Sequence, residues 1–585
     1  MMTEDHQETQ MYTWKELRKL AKTEIAAEDP AVRVALLGNC STQFLKTALE
    51  GYAKAEKQNI RIWEADYDQI EIQLFDSGSE LFAFAPQRIL LWLAAEKLYE
   101  EFLSLSFEER DSFADNYIVK IKQYWDQIMT HSAALILQMN FTEIDDKVLG
   151  QYSAKVDKTF IYQIRKLNWL LEEAMREQSN VYPVDLLAVQ IRMGQSAFFD
   201  AALYYNAKMC ISTTALPYVA KAVTDVLQAL EGRIKKCIVM DLDNTLWGGI
   251  IGDDGMEHIE IGELGRGPAF TGFQRWLKQL KEYGIILAVC SKNEEQTARE
   301  PFEKHPDMVL KLSDISVFVA NWEDKASDIR LIQESLNIGF DSMIFLDDNP
   351  FERNLVRQRL PEVKVPELPE DPAKYLDYLQ ACNYFENVSF TGRKEDRTGL
   401  YQAEFERKKA EKQYDTIDDY LKSLDMAATV RHFETQDHAR IAQLTQRSNQ
   451  FNVRTVRYTE NEIMQIAKSS DWIPLSFSLK DRYGDHGLIG LLFLRKKGEK
   501  ELFIENWLMS CRVLKRGMEE FMLNKAVEAA LSEGFEMITG QYIPTPKNRM
   551  VASLYPQMGF KQSSEGKYSL DLLTYQPKKT YMKEG

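Results

Sequence analysis

Lys235-Lys236-Cys237-Ile238-Val239-Met240-Asp241-Leu242-Asp243-Asn244-Thr245-Leu246-Trp247-Gly248-Gly249 is the stretch on which the reading of the whole chain turns. Its apolar run ends abruptly in two carboxylates, the pattern of a buried strand that delivers acids into the loop at its carboxyl end. An Asp-x-Asp pair means little alone in an acidic chain, so the surrounding runs decide. Residues 285–290 lead into Ser291-Lys292-Asn293, residues 317–320 into Asn321-Trp322-Glu323-Asp324-Lys325, and residues 343–346 into Asp347-Asp348-Asn349-Pro350. Each apolar run releases reactive side chains at the same end, and helix-like stretches at 273–282 and 326–336 separate some of them. The simplest arrangement is an open parallel α/β sheet with one site across its strand ends.

This series resembles the haloacid dehalogenase-like (HAD) superfamily and, in detail, its FkbH-like branch. The resemblance implies a nucleophilic Asp241 that attacks phosphorus, with Asp243 as the general acid and then the base that activates water. It further implies that Ser291 hydrogen-bonds the transferring phosphoryl group, with Thr245 and Asn293 as further substrate contacts, and that Lys325 offsets charge. Asp241, Asp243, Asp347 and Asp348 would hold Mg²⁺, a hard cation suited to carboxylates, waters and phosphate. Between Asp243 and Ser291 lie 47 residues, and between Lys325 and Asp347 only 21. Neither gap fits a full cap domain, so the expected site is capless and open to a bulky substrate or a carried group.

Length and composition bound the rest. At 585 residues the chain has room for about three or four domains. Its net charge of −17 argues against nucleic acid as the main ligand, because counterion release needs a basic surface. No stretch is long and apolar enough to span a bilayer, and residues 1–10 are polar rather than signal-like, so a cytoplasmic protein is expected. The six cysteines are scattered without paired spacing, which indicates neither a zinc site nor a disulfide framework.

The domain reading is a polar leader (1–30), a first α/β domain (31–233), the HAD-like domain (234–368), a proline-rich linker with a charged helix (369–425) and a carboxyl-terminal α+β domain (426–585). In the first, Val32-Arg33-Val34-Ala35-Leu36-Leu37 breaks at Gly38, and further strands are expected at 60–63, 88–92 and 134–138. This domain looks like an SGNH hydrolase, but Gly38-Asn39-Cys40 replaces Gly-Asp-Ser and no His occurs between His131 and His258. Without a base the nucleophile is poor, so a non-hydrolytic binding or scaffolding domain is expected.

In the last domain, strands are expected at 473–479, 488–494 and 502–509, with a turn at 481–487 and a helix at 518–532. The loop Ser510-Cys511-Arg512-Val513-Leu514-Lys515-Arg516-Gly517 joins strand to helix. With Asn548, Ala552, Tyr555 and Gly559-Phe560 it is similar to a GNAT-type acyltransferase, although Lys515 stands where the first signature glycine would be. Arg512, Lys515 and Arg516 are read as contacts to a phosphate, since a helix start and basic side chains suit an anion.

Phe451-Asn452-Val453-Arg454-Thr455-Val456-Arg457-Tyr458 and Leu508-Met509-Ser510-Cys511-Arg512 are further FkbH-like marks. The resemblance implies a role in a specialised, often polyketide, pathway: a phosphoglyceryl unit is taken from 1,3-bisphosphoglycerate, phosphate is removed, and the glyceryl group passes to the phosphopantetheine thiol of an acyl carrier protein. Such a transfer favours an enzyme thioester, and Cys511 is the expected nucleophile because its basic neighbours would lower its pKa. Cys290 ends an apolar strand and is expected to be packed and protonated. The other classes left open are a plain small-molecule phosphatase and an acyltransferase that modifies a surface glycan or amino sugar.

Overall fold

Cys237, Ile238, Val239 and Met240 form β6 (Cys237–Met240) and are fully buried, because this strand sits inside a sheet covered on both faces. Ile238 and Met240 join one apolar cluster and Cys237 and Val239 another, the two-residue alternation of a strand between two layers. Burying each such side chain is worth about 1.5–3 kcal/mol. β7 (Ile286–Ser291), β8 (Val317–Ala320) and β9 (Met343–Leu346) complete an all-parallel sheet in the order β8-β7-β6-β9. The connections leave β6 in opposite directions, so its carboxyl end is the crevice where open α/β sheets place their ligands. No domain is inserted after β6. A hairpin closed between Gly248 and Glu260, a short helix Ile251–Asp254 and the helix Gly267–Glu282 fill the gap.

The computed structural model describes residues 11–23, 31–389, 399, 414, 416–510, 513–545 and 547–585. The chain divides into two compact units, Gln10–Leu230 and Glu231–Gly585. In the first, β1 (Val32–Gly38), β2 (Ile60–Glu64), β3 (Arg88–Trp92), β4 (Leu135–Met139) and β5 (Val181–Val184) form a parallel sheet in the order β2-β1-β3-β4-β5. β5 was not expected: it is a short edge strand carrying Pro183, which an edge tolerates because one side of its backbone needs no partner. The helix Trp14–Leu20, in the segment read as a leader, opens with a Thr13/Glu16 capping box and buries Leu17 against the helix Gln43–Ala55. Gly51 is required there, since a Cβ would meet the Leu17 carbonyl oxygen at 2.2 Å.

Cys40, at the turn after β1, is 2% exposed and hydrogen-bonds the Cys210 thiol. Asn39 accepts from the Ala94 N–H at 2.8 Å, and Asn140 is held between the Asp185 carboxylate and the Leu187 N–H. These groups are therefore used in holding the turn. Glu96, also buried, hydrogen-bonds Cys210, and burial pushes its carboxyl up from 4.5 to about 7. An acid whose pKa is raised by folding contributes stability below its unfolded value and loses it as the pH rises through the folded value. Chemical denaturation should therefore find Glu96→Gln more stable than the parent at pH 8, by about 3 kcal/mol, and equal to it near pH 4. Equal stability at both pH values would place the carboxyl in water.

The proline-rich stretch 361–372, which reads as a linker by composition and straddles the expected boundary at 368, packs as part of the HAD-like domain. Val363, Val365 and Leu368 are buried, and Lys364 pairs with β9 through Phe345 N to Lys364 O (2.9 Å) and Lys364 N to Met343 O (3.1 Å). Its alternating apolar residues add a short run to the β9 edge, and the helix Tyr375–Cys382 then covers the sheet. The expected charged helix at 398–424 lies mostly outside the described residues, whose helix there is Ile417–Ser423.

The described residues of the last domain form eight strands: β10 (Ala427–His432), β11 (Trp472–Asp481), β12 (Gly484–Lys496), β13 (Glu501–Met509), β14 (Met537–Gln541), β15 (Lys561–Ser564), β16 (Lys567–Asp571) and β17 (Lys583–Glu584). Their order is β15-β16-β14-β13-β12-β11-β10-β17. β10 to β13 are antiparallel, and the helix Met518–Ser532 crosses over to place β14 parallel to β13. This mixed α+β layout is the one that the GNAT resemblance implies. Packing the sheet needs cover on both faces. Phe521, Met522 and Ala526 supply it on one, and the helices His438–Arg447 and Glu460–Lys468 on the other through Ile441, Leu444 and Ile463.

Candidate active site

The turn after β6 brings Asp241 to the crevice with its N–H bonded to Leu346 O at 2.9 Å, which ties its backbone to β9. Asn244 adopts a left-handed conformation (φ 53°), which an asparagine tolerates, and its Oδ1 accepts from Gly249 N. Lys325 begins the helix Lys325–Leu336, capped by Asp324. That start fixes where its long side chain goes: Nζ lies 2.7 Å from Asp241 Oδ2 and 2.6 Å from Asp347 Oδ2, in a group that is almost wholly buried. Burial works against the ammonium, but Asp241 and Asp347 more than offset it and hold its pKa above the ordinary lysine value. Burial and then the Asp241 charge push Asp347 up to about 7 against the pull of Lys325, and burial raises Asp348 as well.

Asp241, Asp347 and Asp348 present carboxylate oxygens within 4.8 Å of one another. Three oxygen donors with no thiolate or imidazole among them fit a hard divalent cation. The sequence reading included the Asp243 carboxylate in this set, and the structure corrects it. Asp243 Oδ1 accepts from the Trp247 indole and the Ile251 N–H, each at 3.0 Å, and Oδ2 accepts from Asn293 Nδ2 at 2.8 Å. Three donors hold this carboxylate away from the metal cluster. Burial nevertheless raises its pKa above the usual aspartate value, the direction an acid–base group needs.

Ser291 is buried at the end of β7 and its Oγ accepts from Asn293 Nδ2 at 3.2 Å. Thr245 is fully buried, and its Oγ1 accepts from Asp348 N at 3.2 Å, so it braces the acid pair. Cys290 is fully buried beneath the site, and burial raises its pKa well above the thiol range, as expected for a packed residue. Arg353, which sequence reasoning missed, donates from Nη1 to the carbonyl oxygens of Asp347 (2.8 Å) and Asp348 (2.6 Å) and pairs with Glu367. Nothing in the sequence singles it out, because its partners are backbone oxygens. Tyr375 OH similarly donates to Asn244 O at 3.1 Å.

Of the expected carboxyl-terminal contacts, Cys511 and Arg512 lie outside the described residues. Lys515 is exposed in a left-handed conformation (φ 61°). Arg516 is turned inward, 4% exposed, and pairs with Asp481, which also accepts from His486 Nε2 at 3.0 Å. The expectation of a phosphate contact is corrected for Arg516, since a guanidinium buried against a carboxylate is already matched in charge.

Acidic, serine, lysine and acid-pair loops at four adjacent parallel strand ends, with no cap, define an enzyme of the haloacid dehalogenase type. The FkbH N-terminal domain family matches residues 33–228. The N-terminal part of the protein BF1531 from Bacteroides fragilis, described as containing a phosphatase domain complexed with Mg, is 45% identical and superposes with a TM-score of 0.62, covering 65% of this chain and 100% of that one. The chain belongs to the FkbH-like family of HAD-type proteins. Its last quarter is similar to the ribosomal-protein-S18-alanine N-acetyltransferase from Escherichia coli (13% identity, TM-score 0.20, 25% of this chain and 94% of that one). It is also similar to the putative acetyltransferase yncA from Salmonella typhimurium (16%, 0.20, 26% and 98%). No curated protein matches the chain.

Proposed function

We propose that the protein is a Mg²⁺-dependent phosphatase coupled to acyl transfer, which takes a phosphoglyceryl unit from 1,3-bisphosphoglycerate, removes phosphate and passes the glyceryl group to the thiol of an acyl carrier protein. The observation that carries the phosphatase part is the buried Asp241–Lys325–Asp347 triad beside a separately held Asp243. The relative crystallised with Mg supports the choice of cation. Bound among Asp241, Asp347 and Asp348, Mg²⁺ would supply positive charge toward the transferring phosphoryl oxygens.

The chain's own groups account for the rest. Asp241 attacks phosphorus and the bond to the leaving oxygen breaks, while Asp243 gives that oxygen its proton. Asp243, now ionised, takes a proton from water, whose oxygen attacks the aspartyl phosphate, and phosphate leaves as the Asp241 carboxylate is restored. Lys325 holds Asp241 in place and offsets its negative charge. Ser291 and Asn293 face the phosphoryl position as hydrogen-bonding groups, and the lack of a cap leaves room for a substrate carried on another domain. The acyl half rests on the family and on the acyltransferase-like layout of the last domain, with Cys511 as the proposed thioester site. The amino-terminal domain is proposed to be non-hydrolytic, since the Cys40 thiol is buried and hydrogen-bonded to the Cys210 thiol.

Phosphate release from 1,3-bisphosphoglycerate, followed with and without holo carrier protein, tests the reading. Release should fall to background in EDTA and return with Mg²⁺, and the holo carrier should gain a glyceryl mass. Full release without carrier loading would leave a plain phosphatase. Aryl esters should not be hydrolysed, and an esterase activity lost in Cys40→Ala would overturn the assignment of the first domain.

A further inference from the structure

β13 and β14 pair only through Glu501–Ile504 and Met537–Gly540 and then part. The wedge between them is filled by the chain itself. Met509 N donates to Phe451 O (3.0 Å), Val453 N to Trp507 O (3.1 Å) and Ile543 N to Val453 O (2.9 Å), so residues 451–453 bridge the two as an extended segment. Asn548, fully buried, fastens this insert by donating from Nδ2 to Asn452 O and Ile543 O, each at 2.9 Å. At the start of the helix Met518–Ser532, the Glu519 carboxylate lies against the backbone N–H groups of Lys515 and Met518. Among the described residues, the open edge of β13 at Trp507 and Met509 and two N–H groups at the helix start are thus engaged from within.

Beside the insert lies a cavity of about 410 Å³. One wall comes from the amino ends of the HAD-like sheet, at Lys236, Ile286 and Ser342, the opposite end from Asp241. The other comes from the helix His438–Arg447 and the residues up to Phe451. Four cationic side chains line it, Lys236, Arg440, Arg447 and Lys547, against Asp341 and Glu362, in a chain whose net charge is −17. Lys236 Nζ donates to Arg447 O at 2.8 Å and Lys547 pairs with Asp341, so the charges are fixed in place. Lysines crowd one of the two acids: burial would raise the Asp341 carboxyl, but Lys547, Lys235 and Lys236 outweigh it and hold it below the usual aspartate value. Ile338, Leu444 and Met509 give the cavity an apolar side. Its size and mixed lining are those of a small-molecule site, and guanidinium groups suit phosphate oxygens.

We propose that this cavity is a second ligand site, for a small organic phosphate, built jointly by the amino ends of the HAD-like sheet and the Arg440–Phe451 segment. Phosphate esters bind with the phosphoryl group toward Arg440 and Arg447 and the carbon body along the apolar side.

Hydrogen exchange of the full chain, read by mass spectrometry in EDTA with glycerol 3-phosphate, inorganic phosphate or coenzyme A as probes, separates the outcomes by place. Glycerol 3-phosphate should slow exchange at least threefold in 336–342 and 440–451. Protection should weaken at least tenfold in apparent affinity in Arg447→Gln, and also in Lys547→Gln, whose exposed position makes misfolding no explanation. Protection by inorganic phosphate at the same segments supports the site and assigns recognition to the phosphoryl group alone. Protection confined to 241–249 and 347–349 would overturn the proposal, as would coenzyme A protection of 513–520 together with 507–509.

Discussion

Asp241→Asn should lower phosphate release by about 10³-fold or more, because the amide keeps the shape of the nucleophile and loses its charge. The fold should survive the change. Lys325 retains Asp347 at 2.6 Å, and the backbone bond from Asp241 N to Leu346 O is untouched. Thermal unfolding of the variant should therefore stay close to that of the parent while steady-state release collapses. A variant that turned over at near the parental rate would remove Asp241 from the chemistry. A variant that was inactive only because it unfolded would leave the carboxylate with a structural role.

Lys325→Met is expected to fail in both respects. Its ammonium is almost wholly buried between two carboxylates, and a methionine of similar length leaves Asp241 and Asp347 facing each other without a counter-charge. Removing one partner from a buried ionic group costs about 3–5 kcal/mol. Chemical denaturation should show a loss of that order in the carboxyl-terminal unit, and phosphate release should fall at least as far as in Asp241→Asn. Added Mg²⁺ should restore part of the stability, since a cation bound by the three carboxylates offsets the same repulsion. A variant as stable as the parent would mean that the triad is solvated rather than buried.

The parts that were legible in the sequence share one feature. β6 to β9 are short apolar runs, buried on both faces, and each is followed by its reactive residues within a few positions, so strand ends and site are local readings. The helix start at Lys325 was legible within one residue because Asp324 is an ordinary cap. What the sequence did not show depends on partners far away. The orientation of Asp243 is set by Trp247, Ile251 and Asn293, and nothing in an Asp-x-Asp pattern says that one carboxylate points away from the cluster. Arg353 acts on carbonyl oxygens, which no residue type announces. Prolines at 361, 366, 369 and 372 read as a linker, while the alternation of Val363 and Val365 between them was the signal for a sheet edge. The same limit hid the insert at 451–453: Phe451-Asn452-Val453 stood out as a family mark, but its place between β13 and β14 follows only from pairing with Trp507, Met509 and Ile543.

Two of the residues on which the acyl half of the function rests, Cys511 and Arg512, lie outside the described residues, and Arg516 is committed to Asp481. The phosphoryl half stands on geometry. Its most direct test is to trap the covalent intermediate. The protein is incubated with Mg²⁺ and 1,3-bisphosphoglycerate, quenched, reduced with borohydride and mapped by peptide mass spectrometry. Residue 241 should be converted to homoserine, the reduction product of an aspartyl phosphate, and should stay unmodified when Mg²⁺ is withheld. Reduction at another aspartate, or phosphate release with residue 241 unmodified at every quench time, would contradict it.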